Sequence, residues 1–156
     1  MKTFEQIANE TILKWVFGYK DGCNTIAWSD NAEIESGNIM ITNGYVCYIL
    51  PPKFVQIKLP EERHNNSLST RQYVTRDDYR LIDINKRSVL YNGKKRGEFI
   101  PIENNLYIDA QYIKMFPDCT FWYAAKTHGV VKVLLGDTYT FVGIIMMTRH
   151  NGDNNA

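Results

Sequence analysis

This sequence of 156 residues has no long apolar run and few cysteines. The longest apolar segment, Phe141 to Met147, is far shorter than the roughly 20 residues of a membrane-spanning helix, so we interpret it as a buried strand and expect no membrane role. Cys23, Cys47 and Cys119 are odd in number and widely spaced, and no apolar signal region follows the N-terminal Met-Lys-Thr-Phe-Glu. These features predict reduced thiols in a cytoplasmic protein.

Catalytic motifs are also missing. The sequence contains no phosphate-binding loop, no G-x-G-x-x-G and no G-x-S-x-G. No histidine or cysteine has a second one at the short spacing of paired zinc ligands. The adjacent carboxylates at 61–62 and 77–78 would point to opposite faces of a strand, so we interpret them as solvated loop residues. We therefore expect a non-enzymatic protein without a catalytic residue, metal or cofactor.

What the chain does have is the composition of a folded protein. Apolar residues make up 44% and charged residues 22% of the sequence, which is typical of a globular domain and unlike disorder. The length suits one domain. We predict a single domain over residues 1–150, followed by a disordered polar tail over 151–156.

The first half begins with a helix signal. Thr3-Phe4-Glu5-Gln6 fits a capping box, and apolar residues at three- and four-residue spacing follow as far as Trp15. Because β-forming residues surround Trp15, one alternative ends the helix near Glu10 and continues as a strand over 11–19. The other strands predicted in this half cover 24–29, 37–42, 45–50 and 54–59, with a two-residue turn at Asn43-Gly44 and a mobile loop over 61–70.

The second half is predicted to be mostly strand. A short helix over 110–116 should begin at the cap Asp109 and end before Pro117, which disfavours a helical residue ahead of it. Tight turns are predicted at Asn92-Gly93 and Gly136-Asp137. The predicted strands cover 79–84, 87–91, 94–100, 106–108, 119–125, 130–135 and 139–148.

The order of these elements predicts an α+β fold with antiparallel sheets. A helix, a short strand containing a cysteine and a tryptophan, and a hairpin occur at both ends of the chain. This repetition is consistent with an internal duplication, although residue identity between the halves is slight.

Several segments resemble bacterial sliding clamps, the β subunits of replicative DNA polymerase. These segments are Asn43-Gly44-Tyr45, Phe99-Ile100-Pro101-Ile102, the strand-to-helix run 108–113, and Ile144-Ile145-Met146-Met147-Thr148-Arg149. The resemblance covers about residues 24–50 and 99–149. It implies two strand-helix-three-strand units with the helices on one face of antiparallel sheets, in a minimal single-domain protein of phage or mobile-element type.

The sequence departs from clamps in three ways. Met146 or Met147 stands where clamps have a proline. Clamp helices present basic residues to DNA, whereas the helix at 110–116 offers only Lys114 and the first helix is acidic. A ring would also require several copies of this chain, so a homo-oligomer is one alternative and the oligomeric state stays open.

The middle of the chain is its basic part, with 11 Lys and Arg against 6 Asp and Glu over residues 51–100. The segment 86–96 contains five cations and no acid. We predict that it binds nucleic acid, with the cations on phosphates and an aromatic ring stacked on a base. The predicted contact residues are Lys86, Arg87, Tyr91, Lys94, Lys95 and Arg96. The alternative is a solvated edge hairpin, in which lysines discourage aggregation.

Three functions therefore remain open from the sequence. The first is a clamp-like module that contacts DNA. The second is a protein-interaction module that binds or imitates a host replication protein through an aromatic groove, although the aromatic residues more often fill a core. The third is a small enzyme, which would need a pocket joining His64 or His128 to a cysteine or a carboxylate.

Overall fold

Two antiparallel sheets and one α-helix build the fold, which a computed structural model describes for residues 1–17, 27–30, 39–43, 45–56, 79–92, 95–103, 105–123, 130–136 and 140–149. The predicted α+β class with antiparallel sheets is confirmed. The α-helix α1 is Phe4–Phe17, and short 3₁₀ helices cover Pro52–Phe54 and Ala110–Met115. The strands are β1 Ala27–Asp30, β2 Ile39–Thr42, β3 Val46–Leu50, β4 Arg80–Leu81, β5 Ser88–Asn92, β6 Lys95–Glu103, β7 Leu106–Asp109, β8 Cys119–Tyr123, β9 Val130–Leu135, β10 Thr140–Met146 and β11 Thr148–Arg149.

Helix α1 begins where the capping box predicts. The Gln6 side chain accepts a hydrogen bond from Thr3 N at 2.9 Å, and the Thr3 hydroxyl accepts one from Gln6 N at 3.2 Å. The alternative that ends the helix near Glu10 is wrong. The apolar stripe continues through Ile12, which is fully buried, to Trp15, whose ring lies 5.5 Å from that of Tyr48. Burial of this stripe outweighs the local strand preference.

The larger sheet joins the two ends of the chain. Within the described residues its order is β1-β2-β3-β10-β9-β8-β4. Two three-stranded meanders, β1-β2-β3 and β8-β9-β10, therefore meet where β3 pairs with β10. Two repeated units joined edge to edge would give the same strand order. The helices depart from a repeat, because α1 is an α-helix and Ala110–Met115 is a shorter 3₁₀ helix. Every residue of β3 is buried.

The smaller sheet has the order β11-β7-β6-β5 within the described residues. The chain passes from the larger sheet to the smaller one at Met147, between β10 and β11. Strand β6 was expected to end before Pro101 but continues to Glu103. A shift in register between these two residues accommodates the missing N–H of proline.

One core connects both sheets with α1 and the 3₁₀ helix Ala110–Met115. Its fully buried members include Ile12 from α1, Tyr48 and Val131 from the larger sheet, and Ile100 and Ile108 from the smaller sheet. None of the helices in the described part of the chain is long and apolar enough to cross a membrane.

The 3₁₀ helix Ala110–Met115 lies between the two sheets in sequence. Asp109 caps it as predicted, because its carboxylate accepts a hydrogen bond from Gln111 N at 3.1 Å. The predicted segment is therefore helical, but with 3₁₀ geometry. Phe116 follows it and is buried, with its ring stacked on that of Phe4 at 5.9 Å. The second predicted strand-helix-three-strand unit is thus present as β7 to β10, whereas no strand precedes α1 in the described residues.

The three turns differ in detail from the predictions. Asn43 N donates to Val46 O, and the Asn43 side chain accepts from the N–H groups of residues 45 and 46. Asparagine is therefore the first residue of this turn, and the predicted turn residue Gly44 lies outside the described residues. Likewise, Asn92 pairs with Lys95 and so belongs to the strand, whereas the predicted turn residue Gly93 lies outside the described residues. Leu135 pairs with Thr140, so four residues separate those strands.

Two predicted strands are shortened or replaced. Residues 79–84 form only the two-residue strand β4, because the Asp83 carboxylate accepts from Asn85 N at 3.0 Å and turns the chain. The predicted strand 54–59 instead begins as the 3₁₀ turn Pro52–Phe54, and residues 57–59 lie outside the described residues. The predicted loop 61–70, the tail 151–156, Cys23 and all three histidines lie outside them too.

Candidate nucleic-acid interface

The hairpin formed by β5 and β6 carries the predicted binding residues. Tyr91 pairs with Arg96 and Val89 pairs with Glu98, so these four side chains lie on one face. Arg87 joins them, because its Nε lies 3.7 Å from a carboxylate oxygen of Glu98. We call these five residues the hairpin face.

The hairpin face continues the core side of the smaller sheet. Ile100 follows Arg96 and Glu98 at two-residue spacing and is fully buried, whereas Glu98 and Arg96 are exposed. The hairpin thus extends beyond the core. The side of the sheet that is buried at Ile100 is exposed to solvent at Glu98 and Arg96. On its other side Leu90 pairs with Gly97 and is buried.

A groove separates the hairpin face from the 3₁₀ helix Ala110–Met115. Its volume is about 350 Å³, and Arg87 and Glu98 form the wall on the hairpin side. The opposite wall consists of residues 109–111, Ile113 and Lys114. We call it the hairpin groove. Because Asp109 caps the helix, the same hydrogen bond that starts the helix also places Lys114 opposite the hairpin.

The charges that line this groove are balanced, with Arg87 and Lys114 against Glu98 and Asp109, and Arg96 of the hairpin face adds a further cation nearby. Arg96 and Lys114 form no ion pair within the described part of the chain, and Arg87 contacts Glu98 at a distance too long for a hydrogen bond. Asp109 is engaged by Gln111 through both carboxylate oxygens, at 3.1 and 2.8 Å. Two cations and two carboxylates therefore line the groove, and one of these carboxylates, Asp109, is committed to the helix cap.

The structure does not place the predicted contact residues on one surface. Arg87, Tyr91 and Arg96 lie together on the hairpin face. Lys86 does not, because it lines a second cleft on the other side of the turn that precedes β5. Lys94 and the side chain of Lys95 lie outside the described residues. The sequence reasoning did not select Glu98 as a site residue, although its two-residue spacing from Arg96 within a strand was the signal for a shared face.

The second cleft has a volume of about 290 Å³ and contains an internal polar network. The Tyr123 hydroxyl donates to Glu103 at 2.8 Å, and Arg80 lies 3.8 Å from the same carboxylate. Burial and this donation to a carboxylate raise the pKa of Tyr123. The tyrosine therefore stays protonated and joins β8 to β6, which is a structural role.

The described cysteines lack the properties of nucleophiles. Burial raises the pKa of Cys47 and of Cys119 to about 12, so both thiols are protonated at neutral pH. The described residues contain no group of three side chains that could hold a metal ion. Cys119 is partly buried at the start of β8, which is consistent with a small apolar residue of the core.

The aromatic residues lie mainly in the core. Tyr48 and Tyr123 are buried, and Trp15 packs on Tyr48. Tyr45 is different, since it is 64% exposed and lies beside Met146, which is 43% exposed and whose N–H donates to Tyr45 O at 2.9 Å. This pair is a small apolar surface at the end of the larger sheet.

Comparisons of the chain with protein-family models, with curated proteins and with solved structures find no significant match.

Proposed function

We propose that this chain is a non-enzymatic, clamp-like binding module that contacts single-stranded DNA through the hairpin face and the hairpin groove. The observation that carries the proposal is the placement of Arg87, Tyr91 and Arg96 on one open face, with Lys114 across the groove. We place its action in the cytoplasm, in the setting of a phage or another mobile element.

The arrangement suits a single strand because it combines cations with an aromatic ring. Phosphates are attracted by Arg96 and Lys114, which have no carboxylate partner among the described residues. Tyr91 is 39% exposed and pairs with Arg96 across the hairpin. Stacking of a base on such a ring contributes about 1–3 kcal/mol and does not depend strongly on the base. Duplex DNA hides its base faces and would gain only the phosphate contacts.

The clamp-like part of the proposal is supported by the unit β7 to β10 and by the two meanders that meet at β3 and β10. The proposed DNA-contacting surface of this protein differs from that of a ring clamp, in which the helices face DNA. Helix α1 carries Glu5 and Glu10, and Glu10 is paired with Lys2 at 2.8 Å. The cations face outward from the hairpin instead, so the DNA contact is assigned there.

The test is a salt titration of single-stranded DNA binding by fluorescence anisotropy. If Arg87, Arg96 and Lys114 each neutralise one phosphate, they contribute about −2 to the slope of log K against log salt, at about −0.7 per contact. The variant R96Q/K114Q should make the slope smaller in magnitude by about 1.4. The ratio of wild-type affinity to variant affinity should therefore fall about sevenfold between roughly 50 and 200 mM salt.

A matched control is K14Q/K53Q, which removes the same charge from exposed lysines on α1 and on the 3₁₀ turn Pro52–Phe54. It should leave the slope unchanged. Equal slopes for all three proteins, or no binding at the lowest salt, would refute the assignment of this surface to DNA.

The second candidate is a protein-interaction module, which the exposed pair Tyr45 and Met146 favours. In that case the protein would bind no DNA and would form a defined oligomer or complex. Light scattering would then show an assembly that Y45S/M146S dissociates and that R96Q/K114Q leaves intact.

A further inference from the structure

Glu98 is an unexpected residue at the centre of a surface assigned to DNA. It pairs with Val89 in the hairpin, and its side chain is 58% exposed toward the hairpin groove. Among the residues that the structure describes, its one charged contact is Arg87, at 3.7 Å, which is longer than a hydrogen bond. A carboxylate in this position repels phosphates, so it weakens backbone binding unless it also contacts the ligand.

Glu98 differs from the other carboxylate of the groove in its free acceptor capacity. Both oxygens of Asp109 accept hydrogen bonds from Gln111. Glu98 accepts no hydrogen bond from any residue in the described parts of the chain. An ionised carboxylate has acceptor sites on both oxygens and no donor, so Glu98 can bind only groups that donate.

We infer that Glu98 is a specificity-determining residue that accepts a hydrogen bond from the exocyclic amino group of an unpaired base, cytosine being the best match. This inference rests on the proposed function. Cytosine presents an N4 amino donor, which is the group that Glu and Asp bind on that base. Thymine has the O4 carbonyl in its place, and two oxygens at hydrogen-bond distance repel each other.

The surrounding residues suit this recognition. A strand held by Arg87 and Lys114, which line opposite walls of the groove, would place a base over the hairpin face, which also carries Tyr91 and Arg96. Unpaired bases offer the edges that a duplex hides, so the carboxylate can be reached only by single strands. Arg87 can move from its loose contact with Glu98 to a phosphate, which leaves the carboxylate available to the base.

The experiment compares equal-length oligo-dC and oligo-dT at neutral pH and low salt, with wild-type protein and E98Q. Wild type should prefer oligo-dC by about five- to tenfold, the low end of what one good base contact provides. E98Q should lose this preference, because an amide can also donate to thymine O4, and should bind oligo-dT more tightly. The control E10Q, which removes an acidic charge from α1, should keep the preference.

The possible outcomes distinguish a failure of the role assigned to Glu98 from a failure of the proposed DNA binding. A preference for oligo-dC that disappears in E98Q supports the inference. Equal binding of both oligonucleotides by wild type overturns it and leaves the proposed function standing. If E98Q binds both more tightly by the same factor, Glu98 only repels phosphates and the inference is overturned. If wild type binds neither, the proposed function fails and the inference fails with it.

Discussion

Replacement of Gly143 by alanine should destabilise the protein strongly, because the added methyl group has no room. A Cβ at this position would overlap Cε1 of Phe116 and would lie 2.9 Å from the backbone oxygen of Cys47. Neither atom can withdraw easily. The Phe116 ring is 1% exposed and lies within 5.0 Å of the Tyr48 ring and 5.9 Å of the Phe4 ring.

The magnitude follows from the cost of overpacking. Extra carbon in a well-packed core costs about 1–3 kcal/mol, and we expect the upper part of this range because one of the obstructing atoms is backbone. For a chain of this size each kcal/mol lowers Tm by about 2–4 °C, so G143A should melt roughly 6–12 °C below wild type. Urea and thermal unfolding followed by circular dichroism would measure both quantities.

Gly97 provides a matched control in another strand. A Cβ there would meet Cε2 of Phe99 at 2.7 Å, and its three nearest atoms all belong to the Phe99 side chain. The Phe99 ring is only half-buried and can rotate away, while the loss of glycine reduces the entropy of the unfolded chain and stabilises by about 0.4–1 kcal/mol. G97A should therefore match or exceed wild type. If G143A were as stable as G97A, the close packing of Phe116 on the sheet would be refuted.

Two further predictions concern buried polar groups. The Tyr48 hydroxyl donates to the carbonyl oxygen of residue 115 at 2.8 Å, so Y48F should lower the free energy of unfolding by about 1–2 kcal/mol in urea titrations, whereas Y45F at the exposed tyrosine should have no effect. Because burial raises the pKa of Cys47 and Cys119 from 9.0 to about 12, their contribution to stability is complete below pH 9 and is lost as the pH rises toward 12. In a C23S background, iodoacetamide should therefore leave the folded protein unmodified at neutral pH, and mass spectrometry that found rapid alkylation would contradict this burial.

The helix starts could be predicted from sequence because their causes are local. The capping box at 3–6 and the Asp109 cap each satisfy backbone donors within three residues of the cap, and both form as expected. The end of α1 could not be predicted in this way. It depends on Ile12 and Trp15 packing against Tyr48, which comes much later in the chain.

The candidate site was predicted only in part for a similar reason. Five cations in a short segment look like one patch in the sequence, but the turn at Asp83 directs Lys86 into a different cleft from Arg87. Strand alternation then selects Arg96 and Glu98 together. Lys114 joins them only through tertiary structure, which no local pattern encodes.

The pairing of β3 with β10 has a consequence for how this protein is made. Residue 48 finds its strand neighbour at residue 143, and every side chain of β3 is buried in the finished sheet. During synthesis on a ribosome, β3 has no partner strand on the side that pairs with β10. This apolar edge stays exposed until almost all of the described chain has left the ribosome. Such long-range closure makes folding slow and exposes incomplete chains to aggregation. Nascent chains that stop before β10 should therefore depend on chaperones and be degraded quickly.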